Sequence, residues 1–253
     1  MTTGLVLGSG GVRGLAHVGV LEALEQRNIE PDIITGSSAG AIIGALYAAD
    51  YTVEDIKELV DDFKVYEFID FTNIGSGILK GQKAKVFLQE QLGDRTFDDL
   101  TIELIVNALD LNNDTTRYID SGDVVNALHA SMAIPGVFKP VPHEEDYLLD
   151  AGYVNPLPVE PLPDCDRIIL VDVSRKGQNI DHDTRFHEVV KQFFYYVQRR
   201  LQRDQVQDLE NKQPGADIIT IKPETESWSM LSFSDLDEVV ERGYEAADQT
   251  LPK

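Results

Sequence analysis

Short apolar runs alternate with segments of helical hydrophobic spacing along this chain. The runs that predict buried strands cover residues 5–7, 33–34, 102–108, 116–119, 147–149, 167–173 and 217–221. The segments that predict helices cover residues 15–24, 39–49, 53–63, 123–132, 184–209 and 235–250, with a further helix ending near residue 92. Strands that alternate with helices are typical of a mostly parallel sheet covered on both faces. The pattern predicts a three-layer α/β/α fold, and the lack of a repeat or linker predicts one domain over residues 1–253.

The second predicted strand leads directly into the pentapeptide GSSAG at 36–40, which has the form G-x-S-x-G. Between a strand and a helix this form is typical of a nucleophile elbow, a sharp turn that needs small residues on both sides of the serine. Gly36 and Gly40 meet that need, and the helix that follows favours negative charge near the serine. The context favours Ser38 as a nucleophile over an incidental serine in a glycine-rich turn.

A glycine-rich loop, GSGGVRG at 8–14, lies between the first predicted strand and the first predicted helix. Glycines allow backbone N–H groups to converge on a small anionic group, so the loop suits a phosphate site or an oxyanion hole. A dinucleotide fingerprint starting at Gly8 would need glycine where Arg13 stands, and the lysine of a P-loop is missing.

A serine nucleophile needs a base, and none of the five histidines lies in an evident catalytic motif. His17 falls on the first predicted helix, where a packed or surface histidine is expected. Asp150 instead follows a predicted strand and precedes two small residues. The carboxyl end of a strand is where an open α/β sheet places its active site. These residues alone leave a plain turn aspartate as an equal alternative.

Taken together, these segments resemble bacterial patatin-like phospholipases, which are related to plant patatins and to the catalytic domain of neuropathy target esterase. The resemblance covers nearly the whole chain. It rests on LVLGSGGVRGLAHVGVLEALE at 5–25, GSSAGAIIGALYA at 36–48, GILKGQKAKVFLQEQLG at 77–93, ASMAIPGVFKPV at 130–141, DAGYVNPLPVEPL at 150–162 and a last helix at 233–248. The resemblance implies the patatin-like version of the α/β/α fold.

The family uses a Ser–Asp dyad, which implies that Ser38 is the nucleophile and Asp150 the base. The resemblance also implies an oxyanion hole formed by backbone amides at Gly10, Gly11 and Val12. The other motif positions that it implies are Gly8, Arg13, Gly14, Gly36, Gly40 and Gly152.

Two positions depart from the family pattern. Ser9 replaces the first residue of a triple-glycine run, and Ala151 replaces the middle glycine of Asp-Gly-Gly. Both replacements are small and fit if the backbone there has ordinary dihedral angles. For Arg13 we expect hydrogen bonds to loop carbonyls, with contact to a substrate phosphate as the alternative.

The resemblance implies hydrolysis of acyl esters in a phospholipid or lysophospholipid, with release of a fatty acid. The same dyad would serve a thioesterase, a neutral-lipid esterase or an acyltransferase. A regulatory interaction protein with vestigial activity is a further alternative. We expect no cofactor and no metal, because no cluster of residues has metal-ligand spacing.

The net charge of −22 limits the kinds of partner that this chain can bind. A chain this acidic repels nucleic acid and gains nothing from anionic lipid headgroups. The single cysteine, Cys165, allows no internal disulfide, and the N-terminal segment has no signal-peptide pattern. We therefore expect a cytoplasmic protein that binds a lipid or acyl-ester substrate. The sequence leaves its oligomeric state open.

The predicted helix at 184–209 has apolar residues at 186, 190, 193, 197 and 201, with Arg199, Arg200 and Arg203 near its end. We interpret it as a core-packing helix with solvated arginines. The alternative is transient contact with a membrane surface, as basic amphipathic helices make. In the serine-rich loop that follows the last predicted strand, the residues expected to be exposed for lipid contact are Trp228, Met230, Leu231 and Phe233.

Overall fold

The computed structural model describes residues 1–61, 81–175, 177, 179–228 and 235–252. The strands are β1 (Thr3–Leu7), β2 (Ile33–Gly36), β3 (Glu103–Asp110), β4 (Thr115–Ile119), β5 (Val141–His143), β6 (Asp146–Leu149), β7 (Arg167–Val171) and β8 (Asp217–Ile221). The α-helices are α1 (Ala16–Glu25), α2 (Ala39–Ala48), α3 (Val53–Asp61), α4 (Gln82–Leu92), α5 (Val124–Ser131), α6 (Phe186–Lys212) and α7 (Leu236–Thr250). Short 3₁₀ helices cover Gly11–Leu15 and Phe97–Asp99.

A central sheet has the strand order β5-β6-β3-β2-β1-β7-β8, and β4 also pairs with β3. The strands from β3 to β8 in that order are parallel to one another. The three remaining strands, β4, β5 and β6, pair antiparallel. The prediction of a mostly parallel sheet is confirmed. The antiparallel strand β5 is an addition, since three residues that include a proline carry too little periodicity to predict a strand.

The two faces of the sheet are covered unequally. Alternate β1 residues point to opposite sides, so Leu5 and Leu7 join one core while Val6 joins the other. The larger core also contains residues of every described α-helix except α6. The smaller core lies beneath α6 and the segment 157–165, with Leu209 of α6 contributing to it. The two cores lie between the sheet and the helices on either side, which gives the three predicted layers.

Strands β2 and β6 run toward each other along one edge of β3. The register pairs Gly36 of β2 with Val106, and Leu149 of β6 with Leu109. Strand β4 pairs with both Val106 and Leu109, so it occupies the other edge of β3. The last residues of β2 and β6 therefore face each other across the short β3 stretch 107–108.

Candidate active site

The turn after β2 holds Ser38 in an unusual backbone conformation, with φ 54° and ψ −121°. A side chain at Gly36 would put Cβ 2.5 Å from Ala41 Cα, and one at Gly40 would put Cβ 2.2 Å from the Leu7 carbonyl oxygen. The turn can close only because both positions are glycine. The Ser38 N–H donates to Ser131 Oγ at 2.8 Å, which fixes the turn from the end of α5. Such backbone strain is typical of functional sites.

Asp150 reaches Ser38 because β6 ends opposite β2. Ser38 Oγ donates to Asp150 Oδ2 at 2.7 Å, and both side chains are buried. The other carboxylate oxygen, Oδ1, accepts the Gly152 N–H at 2.6 Å, while the Asp150 N–H donates to the Ala133 carbonyl. Asp150 lies directly after the last residue of β6, as the sequence predicts. Strand β6 is antiparallel to β3 and brings the carboxylate from the opposite direction.

Burial is the main influence on the Asp150 carboxyl group. It raises the pKa from 3.8 to about 6, against the opposing effect of hydrogen bonds from Ser38 and the Gly152 amide. A carboxylate with this pKa is a better proton acceptor than an exposed one. The pair therefore combines a strained serine with a carboxylate that is suited to take its proton.

The glycine-rich loop lies beside the elbow. The amides of Gly8 and Ser9 are bonded to the Val171 and Pro156 carbonyls. The next residues begin the 3₁₀ helix Gly11–Leu15, whose first amides have no acceptor within the helix. A Cβ at Gly14 would lie 2.5 Å from Ala39 Cβ, so this glycine allows the loop to pack against the start of α2.

Steric contacts explain why two further positions of the glycine-rich loop, Gly8 and Gly10, are glycine. A Cβ at Gly8 would lie 2.9 Å from the Val171 carbonyl oxygen, and one at Gly10 would lie 2.5 Å from Val173 Cγ2. Gly11 has φ +58°, in the left-handed region that favours glycine.

Ser9 and Gln198 join the glycine-rich loop to the Asp150 segment. Ser9 Oγ donates to the Gly152 carbonyl oxygen at 3.0 Å. Gln198 Nε2 of α6 donates to both Ser9 Oγ and the Gly152 carbonyl, at 3.0 and 2.8 Å. A Cβ at Gly152 would lie 2.6 Å from Ser9 Oγ, which explains the glycine at that position. Ser9, which replaces a glycine of the family pattern, thus supplies a hydroxyl that links the glycine-rich loop to the Asp150 segment. Sequence reasoning missed Gln198, because no local motif marks a glutamine on a distant helix.

Arg13 and His17 hold the loop from the inside. Arg13 is fully buried, and its Nε donates to the Val173 carbonyl at 3.0 Å while its guanidinium lies 5.7 Å from the Tyr195 ring centre. His17 Nε2 lies 2.8 Å from the Gly8 carbonyl oxygen, and burial lowers its pKa to about 4. A neutral His17 donates this hydrogen bond and holds the loop. It does not contact Ser38 among the described hydrogen bonds.

Two expectations about surface residues are wrong. Trp228 is only 6% exposed and belongs to the larger core, so it is not free for lipid contact. The N-terminal half of α6 does not pack into the core through its apolar positions, because Phe186 is 84% and Phe193 62% exposed. Met230, Leu231 and Phe233 lie outside the described residues, as do residues 77–80 of the third motif.

Neither a metal-binding cluster nor a membrane-spanning helix is present among the described residues. Among those residues no group of three or more His, Cys, Asp or Glu side chains could hold a metal ion. None of the helices described is both long and apolar enough to cross a membrane.

Comparisons with known proteins identify the family and the fold of this chain. The family described as patatin-like phospholipase matches residues 5–163. A lysophospholipase of Aspergillus fumigatus is 30% identical over 99% of this chain, and one of Candida glabrata is 28% identical over 95%. The chain spans only 18% and 15% of those two proteins. The crystal structure of VipD from Legionella pneumophila superposes with a TM-score of 0.63 at 15% identity, over 98% of this chain and 66% of that one.

Proposed function

The chain belongs to the patatin-like phospholipase family of carboxylic ester hydrolases, and from this premise we propose that it cleaves acyl esters of phospholipid or lysophospholipid with a Ser38–Asp150 dyad. The observation that carries the proposal is the 2.7 Å hydrogen bond from Ser38 Oγ to Asp150 Oδ2, made by a serine with positive φ in a buried elbow. The chain resembles lysophospholipases over nearly the whole of its own length, and this resemblance supports the choice of substrate class.

The first chemical step forms an acyl-enzyme. Asp150 accepts the proton of the Ser38 hydroxyl while Oγ attacks the ester carbonyl carbon, and the carbonyl π electrons move to oxygen. The resulting oxyanion would be stabilised by the backbone amides of Gly10, Gly11 and Val12. When the tetrahedral intermediate collapses, the carbon–oxygen bond to the alcohol breaks, and Asp150 returns its proton to that alcohol.

The second step releases the fatty acid. Asp150 takes a proton from water, and the hydroxide attacks the acyl carbon of the ester on Ser38. Collapse of this second intermediate returns the proton to Ser38 Oγ and restores the starting dyad. The proposal involves no cofactor, since proton transfer and nucleophilic attack are supplied by the two side chains.

The oxyanion hole can be tested at Gly11. Gly11→Val should reduce kcat by about 10² to 10³-fold, the range found when one oxyanion donor is removed. A β-branched residue disfavours the positive φ of Gly11, so the amides could no longer converge. The measurement is kcat on a soluble p-nitrophenyl ester, with folding checked by circular dichroism.

Gly93 provides the matched control for that substitution. Its φ of +62° is close to that of Gly11, and a Cβ there would meet nothing within 4 Å. Gly93→Val places a β-branched residue at a similar positive φ outside the loop and should leave kcat near the wild-type value. Equal activity of the two folded variants would assign the glycine-rich loop another role.

Substrate choice is tested by a panel of three esters. Lysophosphatidylcholine, an acyl-CoA and a short p-nitrophenyl ester should be compared by kcat/KM, with Ser38→Ala as the blank. We expect the lysophospholipid to be preferred by at least about tenfold over the acyl-CoA, or 1.4 kcal/mol in transition-state binding. Preference for acyl-CoA would favour the thioesterase alternative. Activity no greater than that of Ser38→Ala on every ester would favour the interaction protein.

A further inference from the structure

Helix α6 buries polar side chains and exposes apolar ones. Its buried face carries Gln198, Gln202 and Gln205. Large apolar side chains stand exposed on the opposite face of its N-terminal half, at Phe186, Val189, Phe193 and Tyr196. These four positions are spaced by three and four residues, so they form one stripe. We call this stripe the aromatic face. Exposed apolar side chains that cluster on one face, rather than being scattered singly, are typical of binding sites.

The aromatic face is connected to the dyad through the same helix. Phe194, which is also exposed, packs against Tyr153 with ring centres 5.4 Å apart. Tyr153 directly follows Gly152, whose amide holds Asp150 Oδ1 and whose carbonyl accepts from Gln198. A lipid that meets the aromatic face is therefore next to the segment that carries the base.

The charge around this face differs from that of the rest of the chain. The whole chain carries −22, yet residues 185–204 contain five cationic side chains and two acidic ones, Glu188 and Asp204. Asp204 accepts a hydrogen bond from Arg200 Nε at 3.1 Å. Arg200 and Arg203 are exposed and continue the stripe at its C-terminal end. Exposed aromatic side chains on a helix that also carries cationic side chains are typical of helices that lie at a lipid interface.

We propose that the aromatic face of α6 docks on a zwitterionic phospholipid surface and presents the dyad to lipid held there. This proposal rests on the proposed function for the identity of the substrate. A zwitterionic surface has no net charge to repel a −22 chain, while its phosphate oxygens can accept from Arg200 and Arg203. A symmetric dimer through the same face is disfavoured, because it would bring the cations of two copies together.

The test measures vesicle binding separately from catalysis. Full-length Ser38→Ala, which cannot turn over lipid by the proposed mechanism, is sedimented with phosphatidylcholine vesicles. The same background with Phe193→Asp should bind at least about tenfold more weakly, because the variant loses an apolar side chain that the lipid would bury and gains a negative charge. The double variant with Phe186→Asp should bind more weakly still.

The matched control is Val86→Asp on α4, where the native side chain is 54% exposed and the charge change is the same. It should bind vesicles as well as the parent protein. When native Ser38 is present, Phe193→Asp and wild type should hydrolyse a soluble short ester equally well. Equal hydrolysis would show that Phe193→Asp leaves the dyad intact.

Each remaining outcome contradicts the docking proposal. Absence of vesicle binding by Ser38→Ala, or equal binding by Phe193→Asp and Val86→Asp, would overturn it. A wild-type oligomer that Phe193→Asp converts to monomer would assign the face to a second copy. The proposed function fails separately, if the soluble ester is turned over equally by wild type and Ser38→Ala.

Discussion

Ser38→Ala should lower esterase kcat by at least about 10⁴-fold and abolish labelling by a fluorophosphonate probe. Loss of a nucleophile removes the covalent path altogether, and only binding and oxyanion stabilisation would remain. The elbow itself should persist, since the turn is set by Gly36, Gly40 and the Ser38 backbone N–H rather than by the hydroxyl. The measurements are turnover of a p-nitrophenyl ester and the site of probe attachment, located by mass spectrometry.

The neighbouring serine provides the control. Ser37 is also fully buried, and its hydroxyl has no hydrogen-bond partner among the described residues. Ser37→Ala should keep both turnover and labelling. A Ser38→Ala protein that retains wild-type turnover would refute the assignment of the nucleophile.

Asp150→Asn should lower kcat by about 10³-fold, or about 4 kcal/mol, the central part of the range for removal of a general base. The amide keeps the shape of the carboxylate and can still accept from the Gly152 N–H, but it cannot take the Ser38 proton. The measurement is kcat at pH 8, where Asp150 of the wild type is ionised because its pKa is about 6.

The pH profile of the wild type distinguishes Asp150 from a histidine base. Only ionised Asp150 accepts a proton, so kcat/KM should rise with pH through about 6 and level off above it. His17 cannot produce this limb, because burial lowers its pKa to about 4. His129→Gln, His143→Gln, His182→Gln and His187→Gln should each leave kcat within about tenfold of wild type. Loss of activity comparable to Ser38→Ala in one of these folded variants would indicate a triad.

Stability provides an independent check on the same carboxyl group. The shift from 3.8 to about 6 means that the folded state holds this proton more tightly than the unfolded state does. Burying the charge should therefore cost about 3 kcal/mol above pH 6 and nothing below about pH 4. Asp150→Asn should be at least as stable as wild type at pH 8, with the difference vanishing at low pH. Asp110→Asn is the control, since this fully buried strand-end aspartate has a pKa lowered by Asn113 and lies outside the dyad.

The strand–helix order and the elbow could be predicted from the sequence because both depend on local patterns. The apolar run at 5–7 and the glycines at 36 and 40 act within a few residues of themselves, and the structure places them as expected. Val53, which begins α3, and Asp217, which begins β8, also lie where the hydrophobic spacing predicts.

The rest depends on contacts between distant segments. The antiparallel direction of β6 depends on its register with Leu109, which no periodicity encodes. The hydrophobic spacing of α6 did not predict which of its faces is buried. Its glutamines satisfy polar loop groups, such as the Gly152 carbonyl, that an apolar side chain would leave unpaired. Its aromatic residues then lie outward, opposite to the usual rule that apolar helix positions are buried.

The head-on meeting of β2 and β6 also has a consequence for refolding. Ser38 and Asp150 are 112 residues apart in sequence, so their hydrogen bond closes a long loop that is costly in entropy. An intermediate with β1, β2 and α2 assembled would possess the proposed nucleophile but not the proposed proton acceptor until β6 docks on β3. Recovered turnover thus reports the docking of that antiparallel edge, whereas recovered helical circular dichroism reports only the earlier, more local events.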